Sequence, residues 1–232
     1  MSCWVVVPAA GIGARMEARQ PKQYLAIADE PMIVHTLKRL ASYHKVSAIV
    51  VVIAQEDERW PSIKLPLRCP LYTVIGGETR ADSVMNGLAY IQQKVSDDPW
   101  VLVHDAARPC IRMSDIESLF QRCYDSDVGG ILGAPVVDTI KKVTTQHTIA
   151  KTVDRAEVWR ALTPQMFRLE MLRAALLQAQ QSNDGITDEA SAIEAMGYQP
   201  LMIQGHADNI KVTVPDDLLI AEAILQQQRQ CR

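Results

Sequence analysis

Short apolar runs and longer amphipathic segments alternate along the first half of the chain. Four runs are apolar at nearly every position, as is typical of strands buried on both faces of a sheet: 4–7, 46–54, 72–75 and 100–104. Between them, apolar residues recur every three or four positions, as in a helix that packs one face on a core. Such stripes occupy 31–44 and the series Ala81, Val84, Leu88, Ile91 and Val95. The alternation predicts a parallel sheet with helices on both faces.

The second half of the chain continues this pattern. Ser114 and Glu117 have the spacing of a capping box, which predicts that a helix begins there. The run GGILGAPVV, 129–137, predicts another strand. The remaining expected elements are helices near 167–181 and 187–196, a strand near 200–204 and a last helix from about Asp216.

Residues 135–155 interrupt the alternation. They are rich in Thr and Val, have a polar centre near Gln146–His147 and predict a β-hairpin with little apolar surface of its own. Such a hairpin could be a solvated surface excursion or an arm that packs on another subunit. Because an isolated hairpin is only marginally stable in water, we favour the arm.

Length and composition narrow the class of protein. The 232 residues fit a single domain, 1–232, with the arm at about 135–155. A net charge of −3 argues against a protein that binds duplex nucleic acid, and no apolar run reaches membrane-spanning length. Five widely spaced cysteines without a CxxC pair suggest neither a disulfide framework nor a zinc site. With no recognisable signal or transit peptide, we expect a cytoplasmic protein.

The loop after the first strand carries the first candidate chemistry. In parallel sheets, ligands bind beyond the carboxyl ends of the strands. Here the small residues Ala9, Ala10, Gly11 and Gly13 let a ligand approach the backbone, with Arg15 and Lys22 close behind. The loop lacks the third glycine of a dinucleotide fingerprint and the Gly-Lys-Ser/Thr ending of a P-loop. It could cradle a phosphate chain or be a solvated basic loop.

Two further loops follow strands. GGETRADSV, 76–84, places Ser83 early in a helix, where its hydroxyl could meet a base or ribose, or the segment could be a plain turn. VLVHDAARPCI, 101–111, places Asp105 and Arg108 beyond a strand end. Asp105 could bind a metal or substrate hydroxyls and Arg108 a phosphate, or the pair could only stiffen the loop. With no second His or Cys at ligand spacing, we expect His104 to be structural.

Six strings occur in a characteristic order: PAAGIGARM…PKQYL, GGETRADSV, VHDAARP, TVDR…ALTPQ, ITDEASA and DNIKVT. Together they span nearly the whole chain and resemble the 2-C-methyl-D-erythritol 4-phosphate cytidylyltransferase family of the non-mevalonate isoprenoid pathway. The resemblance implies an α/β fold, with a mostly parallel, doubly wound (Rossmann-like) nucleotidyltransferase sheet and a protruding β-hairpin arm. It implies transfer of a cytidylyl group from CTP to 2-C-methyl-D-erythritol 4-phosphate, with release of pyrophosphate and a requirement for Mg²⁺ or another divalent cation. The length fits the form without a fused cyclase domain.

The resemblance also implies roles for residues of this chain. Arg15 and Lys22 resemble the catalytic pair that stabilises the transition state. The residues that resemble CTP contacts are Ala9, Ala10, Gly11, Gly13, Gly77, Glu78, Ser83, Ala106 and Lys211. Those that resemble contacts to the acceptor phosphate are Asp105, Arg108, Thr139, Arg155, Thr163 and Lys211. The metal ligands are unknown, and a homodimer formed through the arm is expected.

Other functions stay open from the residues alone. A sister enzyme acting on another polyol phosphate, such as ribitol 5-phosphate, would differ only in the acceptor pocket. A nicotinamide-dependent oxidoreductase would explain the Gly-x-Gly loop, but the third glycine is missing. A non-catalytic sensor of nucleotide and sugar phosphate is disfavoured by the presence of both Arg15 and Lys22.

Overall fold

A central seven-stranded sheet organises the computed structural model, which describes residues 3–11, 20–182 and 185–230. The strands are β1 Cys3–Pro8, β2 Ala26–Ile27, β3 Glu30–Pro31, β4 Val46–Ile53, β5 Leu71–Ile75, β6 Trp100–Val103, β7 Gly129–Pro135, β8 Ile140–Val143, β9 Ile149–Val153, β10 Trp159–Arg168 and β11 Leu201–Gln204. The sheet order is β11-β7-β10-β6-β1-β4-β5. All neighbours pair in parallel except β10, which is antiparallel to both β6 and β7. The expected mostly parallel sheet is therefore confirmed.

Helices cover this sheet on both faces. They are α1 Met32–Ser42, α2 Arg80–Lys94, α3 Met113–Tyr124, α4 Leu169–Ser182, α5 Glu189–Ala195 and α6 Asp216–Gln230. Alternate residues of β1 enter different cores: Val5 and Val7 pack into one apolar cluster and Val6 into another. Because successive side chains of a strand point to opposite faces, a strand buried on both sides must be apolar throughout. None of the helices in the described residues is both long and apolar enough to cross a membrane.

The strand β10 departs from the sequence-based expectation, which placed no strand before the helix near 167–181. Its middle reads Thr163-Pro164-Gln165, and a proline with polar neighbours argues against a central strand. The structure accommodates it because the pairing of β10 with β7 shifts register between Ala161 and Gln165. The helix then begins only at Leu169.

The capping box expected at Ser114 and Glu117 is wrong. Helix α3 begins at Met113, and its N-cap residue is Arg112, whose side chain makes no capping bond. The Arg112 side chain instead donates to the Asp208 carboxylate, and the Arg112 backbone is extended just before the helix. Ser114 therefore lies inside the first turn.

The segment after β7 leaves the central sheet. Strands β8 and β9 pair only with each other, as an antiparallel hairpin closed between Thr144 and Thr148. Val143 and Ile149 are 54% and 65% exposed, so apolar side chains of this hairpin lie open on the protein surface. The hairpin of the expected arm is present, whereas its packing on another subunit stays a prediction.

Candidate active site

A cavity of about 190 Å³ opens at the carboxyl ends of the parallel strands. The chain runs from β1 outward to β4 and β5 and then returns to the other side of β1 with β6. Strand order therefore reverses between β1 and β6, the place where open α/β sheets bind ligands. The described residues that line the cavity are Pro8, Ala9, Ala10, Gly11, Lys22, Gln23, Gly77, Glu78, Thr79, Arg80, Ser83, Asp105, Ala106, Ala107 and Lys211.

Most of the sequence-predicted site residues meet at this cavity. Those in the lining are Ala9, Ala10, Gly11, Lys22, Gly77, Glu78, Ser83, Asp105, Ala106 and Lys211. Gly13 and Arg15 lie outside the described residues. The structure thus brings three strand-end loops and the distant Lys211 together at one cavity, while the contacts that each residue makes with substrates stay predictions.

The loop after β1 is held by its own backbone and by Gln23. The Ala9 amide donates to the Val52 carbonyl at 2.7 Å, and the Ala9 carbonyl accepts from Gln23 Nε2 at 2.6 Å. Gln23 is buried, and sequence reasoning missed it. Lys22 begins a short 3₁₀ turn, and its Nζ donates to the Val212 carbonyl at 3.1 Å. Lys22 is therefore tethered to the segment that carries Lys211.

The turn from β5 to α2 requires two glycines. A Cβ on Gly76 would lie 2.7 Å from both Ala10 Cβ and Ser83 Oγ, and one on Gly77 would lie 2.4 Å from Asp82 Cβ. Ser83 Oγ accepts from the Gly77 amide at 3.2 Å and donates to the Thr79 carbonyl at 3.0 Å. The close approach of Gly76 to Ala10 packs the β5–α2 turn directly against the loop after β1.

Asp105 is the centre of charge in the cavity. Its Oδ2 lies 2.8 Å from Lys211 Nζ and 3.7 Å from Arg108 Nε, and its Oδ1 lies 3.0 Å from Arg80 Nη2. Burial would raise the pKa of the Asp105 carboxyl, but Arg80 and Lys211 outweigh burial and hold it well below its usual range. Asp105 is therefore a fixed carboxylate with cations on both oxygens.

Arg108 and Thr163 both contact Asp105 but are not among the described residues that line the cavity. Arg108 is buried, and its Nη1 donates to the Asn209 carbonyl at 2.8 Å. Thr163 Oγ1 accepts from the Asp105 amide at 3.1 Å and is 3.1 Å from His104 Nδ1. Both residues hold the Asp105 loop in place, and their contact with an acceptor stays a prediction.

His104 is structural, as its sequence context indicated. Its Nε2 is 3.1 Å from the Arg108 carbonyl, so Nε2 carries the proton and Nδ1 accepts from Thr163. This neutral tautomer satisfies both ring nitrogens. Burial lowers the pKa of His104 to about 4, which keeps the ring neutral near pH 7.

Sequence reasoning missed Arg80 and Glu189. Arg80 begins α2 and lines the cavity, and Glu189 begins α5. Their side chains form a fork, with Nη1–Oε1 at 2.7 Å and Nη2–Oε2 at 3.1 Å. Both residues lie within motif strings, GGETRADSV and ITDEASA, but nothing in the spacing of those strings pairs them across the fold.

Thr139 and Arg155 lie away from this cavity. Both are exposed at the base of the β8–β9 hairpin, and Arg155 Nη1 donates to the Val137 carbonyl. They are not among the described residues that line the cavity. Their contact with an acceptor stays a prediction.

A preformed metal cage is absent from the described part of the chain. No three His, Cys, Asp or Glu side chains come together there as potential ligands. Glu78 and Asp105 are the carboxylates among the described lining residues. One or two carboxylates combined with phosphate oxygens suit Mg²⁺ bound to a nucleotide.

Comparison with known proteins identifies the family. The family model for 2-C-methyl-D-erythritol 4-phosphate cytidylyltransferase matches residues 3–227. The protein of that name from Hahella chejuensis is 47% identical over 227 residues, which cover 98% of this chain and 94% of the relative. The crystal structure of the Francisella tularensis enzyme of the same name superposes with a TM-score of 0.83 and 34% identity, covering 97% of this chain and 100% of that one. The cavity thus lies in a chain that belongs to the 2-C-methyl-D-erythritol 4-phosphate cytidylyltransferase family.

Proposed function

We propose that this protein transfers a cytidylyl group from CTP to 2-C-methyl-D-erythritol 4-phosphate. A phosphate oxygen of the acceptor attacks the α-phosphorus of CTP in line with the leaving group. A new P–O bond forms, the bond to the β-phosphate oxygen breaks, and pyrophosphate leaves. The other product is 4-diphosphocytidyl-2-C-methyl-D-erythritol.

The observation that carries this proposal is the placement of Lys22, Asp105 and Lys211 around one cavity at the topological switch point. Two lysines facing a cavity with small-residue walls suit a ligand that is anionic and that approaches the backbone closely. Family membership then specifies which anions meet there.

The site needs no general base for this reaction. A phosphate monoester has a second pKa near 6 and is mostly dianionic at neutral pH, so the nucleophile is already deprotonated. What remains is to bring two anions together and to stabilise the charge that shifts during phosphoryl transfer. We assign Lys22 and Arg15 to the charge near the α-phosphorus, and Lys211 to both the triphosphate and the acceptor.

The remaining predicted contacts divide between the two substrates. Those assigned to CTP are Ala9, Ala10, Gly11, Gly13, Gly77, Glu78, Ser83 and Ala106. Those assigned to the acceptor are Asp105, Arg108, Thr139, Arg155 and Thr163. Because Thr139 and Arg155 are exposed at the hairpin, we infer a two-fold dimer in which the hairpin completes the partner's site.

Mg²⁺ or another divalent cation fits this site as a companion of the triphosphate. Glu78 would supply a protein oxygen ligand and phosphate oxygens the rest, because both Asp105 oxygens already face the cations Arg80 and Lys211. Such a cation would neutralise part of the negative charge on the triphosphate. Lys22 and Lys211 would then face a less repulsive pair of anions.

Pyrophosphate release from CTP tests the proposal. The acceptors to compare are 2-C-methyl-D-erythritol 4-phosphate, erythritol 4-phosphate and ribitol 5-phosphate, each with and without Mg²⁺. We expect the highest kcat/KM for the methylerythritol phosphate. A higher kcat/KM with ribitol 5-phosphate would refute the assigned acceptor while keeping cytidylyl transfer. No pyrophosphate release with any acceptor would refute the whole function.

A further inference from the structure

Arg80 joins two carboxylates that come from distant parts of the chain. Its Nη1 and Nη2 donate to the two oxygens of Glu189, 109 positions away. Its Nε and Nη2 reach Asp105 Oδ1 at 3.1 and 3.0 Å. The guanidinium plane is therefore held on one edge by Glu189 and holds Asp105 with another.

Glu189 is placed for orientation rather than for a contact of its own with a ligand. The residue is 1% exposed, and both of its carboxylate oxygens accept from Arg80. A buried ion pair adds little net stability compared with well-packed apolar side chains, because desolvating the charges offsets their attraction. What the fork supplies is geometry, since two parallel N–H···O bonds fix the guanidinium in one plane.

Fixing Arg80 in turn fixes Asp105. The Asp105 carboxylate can rotate about its side-chain bonds, and its two oxygens have different partners, Arg80 on Oδ1 and Lys211 on Oδ2. An Arg80 side chain free to adopt other rotamers would leave Oδ1 without a fixed donor. Lys211 would then lose its fixed counterion at the cavity.

We propose that Glu189 is a positioning residue for the acceptor: through Arg80 it sets the orientation of the Asp105 carboxylate and, with it, the place of Lys211. The inference rests on the proposed function, in which Asp105 and Lys211 hold the acceptor. In this role Glu189 acts through Arg80 and does not itself contact a substrate.

The variant Glu189→Gln tests this role because it keeps the size of the side chain and removes one of the two acceptors of the fork. We expect kcat/KM for the acceptor to fall about tenfold, since small displacements of positioning groups cost factors of this order or more. The KM for CTP should rise by a smaller factor, because Asp105 is assigned to the acceptor alone whereas Lys211 is assigned to both substrates. Arg80→Lys, which keeps the charge but loses the fork, should show the same selective loss and serves if Glu189→Gln fails to fold.

Gln165→Met is the matched control for a merely structural role. Gln165 anchors the start of α5 from the other side, because its Oε1 accepts from the Ala190 amide at 2.9 Å and its Nε2 donates to Asp188 at 2.8 Å. The Gln165→Met variant therefore loosens the start of α5 and leaves the Arg80 side chain unchanged. Glu189→Gln should impair the acceptor kcat/KM more than Gln165→Met does at a similar loss of unfolding free energy. Equal losses in the two variants would overturn the inference.

A double-mutant cycle with Asp105→Asn separates this inference from the proposed function. If Glu189 acts through Asp105, adding Glu189→Gln to Asp105→Asn should lower the acceptor kcat/KM little further. If the two losses multiply, or if Asp105→Asn impairs the acceptor and Glu189→Gln does not, the positioning role is refuted and the function stands. If Asp105→Asn itself leaves the acceptor kcat/KM unchanged, the assignment of Asp105 falls and the inference falls with it.

Discussion

At the scale of single residues, Lys22 is the group whose removal should affect chemistry most directly. We expect Lys22→Ala to lower kcat by about a hundredfold or more with a much smaller change in either KM, because its charge is assigned to the transition state. Steady-state kinetics with both substrates measures this. Lys38→Ala is the control, since Lys38 pairs with Glu30 on the surface, away from the cavity lining. A Lys22→Ala enzyme with near-normal kcat would remove Lys22 from the catalytic pair.

His104 makes a residue-scale prediction about stability rather than activity. Its pKa falls from 6.5 to about 4 in the folded protein because burial disfavours the charged ring. Protonation therefore favours the unfolded chain. The contribution of His104 is complete above about pH 6.5 and is lost as the pH falls towards 4, to a total of about 3 kcal/mol.

Urea unfolding at pH 7.5 and pH 4.5, with wild type and His104→Asn, measures this contribution. The variant should be less stable at pH 7.5, because the bonds to Thr163 and Arg108 are lost. It should lose less unfolding free energy than wild type on acidification. Carboxylates shared by both proteins cancel in that difference. Equal acid losses in the two proteins would mean that folding does not lower the pKa of His104.

At the scale of elements, the β5–α2 turn is the most sharply constrained part of the cavity wall. In Gly77→Ala the new Cβ would meet Asp82 Cβ at 2.4 Å, inside the capping box that begins α2. The turn must shift, so we expect the KM for CTP to rise about tenfold with less effect on the acceptor KM. Gly185→Ala, where a Cβ meets nothing within 4 Å, is the control. Equal CTP affinity in both variants would exclude this turn from nucleotide binding.

The elements also show where sequence reasoning succeeds and where it stops. The strands β1, β4 and β6 are buried on both faces, so their sequences are continuously apolar and could be predicted. Strand β10 could not, because Thr163-Pro164-Gln165 interrupts it and a register shift that depends on its partner β7 absorbs the interruption. Local sequence patterns predict local structure, but pairing between strands that are distant along the chain can override them.

The same limit applies to the site. The glycines and strand-end residues of the cavity could be predicted, since their positions follow from chain geometry around each strand. The fork between Arg80 and Glu189 could not, because it joins two helix starts whose approach depends on the whole fold. The roles of Gly77, Ser83 and Lys211 came from resemblance to a family rather than from spacing.

At the scale of the whole molecule, we expect composite sites in which the exposed hairpin of one chain serves the acceptor bound in its partner. Thr139 and Arg155 are exposed at its base, whereas Lys22 lines the cavity. In a closed two-fold dimer, each hairpin would reach the partner once and give two equivalent sites. Arg155 would then act on the acceptor bound in the partner, while Lys22 acts in its own chain.

Mixing two inactive variants, Lys22→Ala and Arg155→Ala, tests this arrangement under conditions that exchange subunits. In a mixed dimer, one site combines an intact Lys22 from its own chain with an intact Arg155 from the partner, and the other site lacks both. Random exchange makes about half of the dimers mixed, so about a quarter of wild-type activity should return. If Arg155 serves its own chain, every site keeps one defect. Subunit exchange verified by mass spectrometry, with no recovered activity, would then exclude a site shared between subunits.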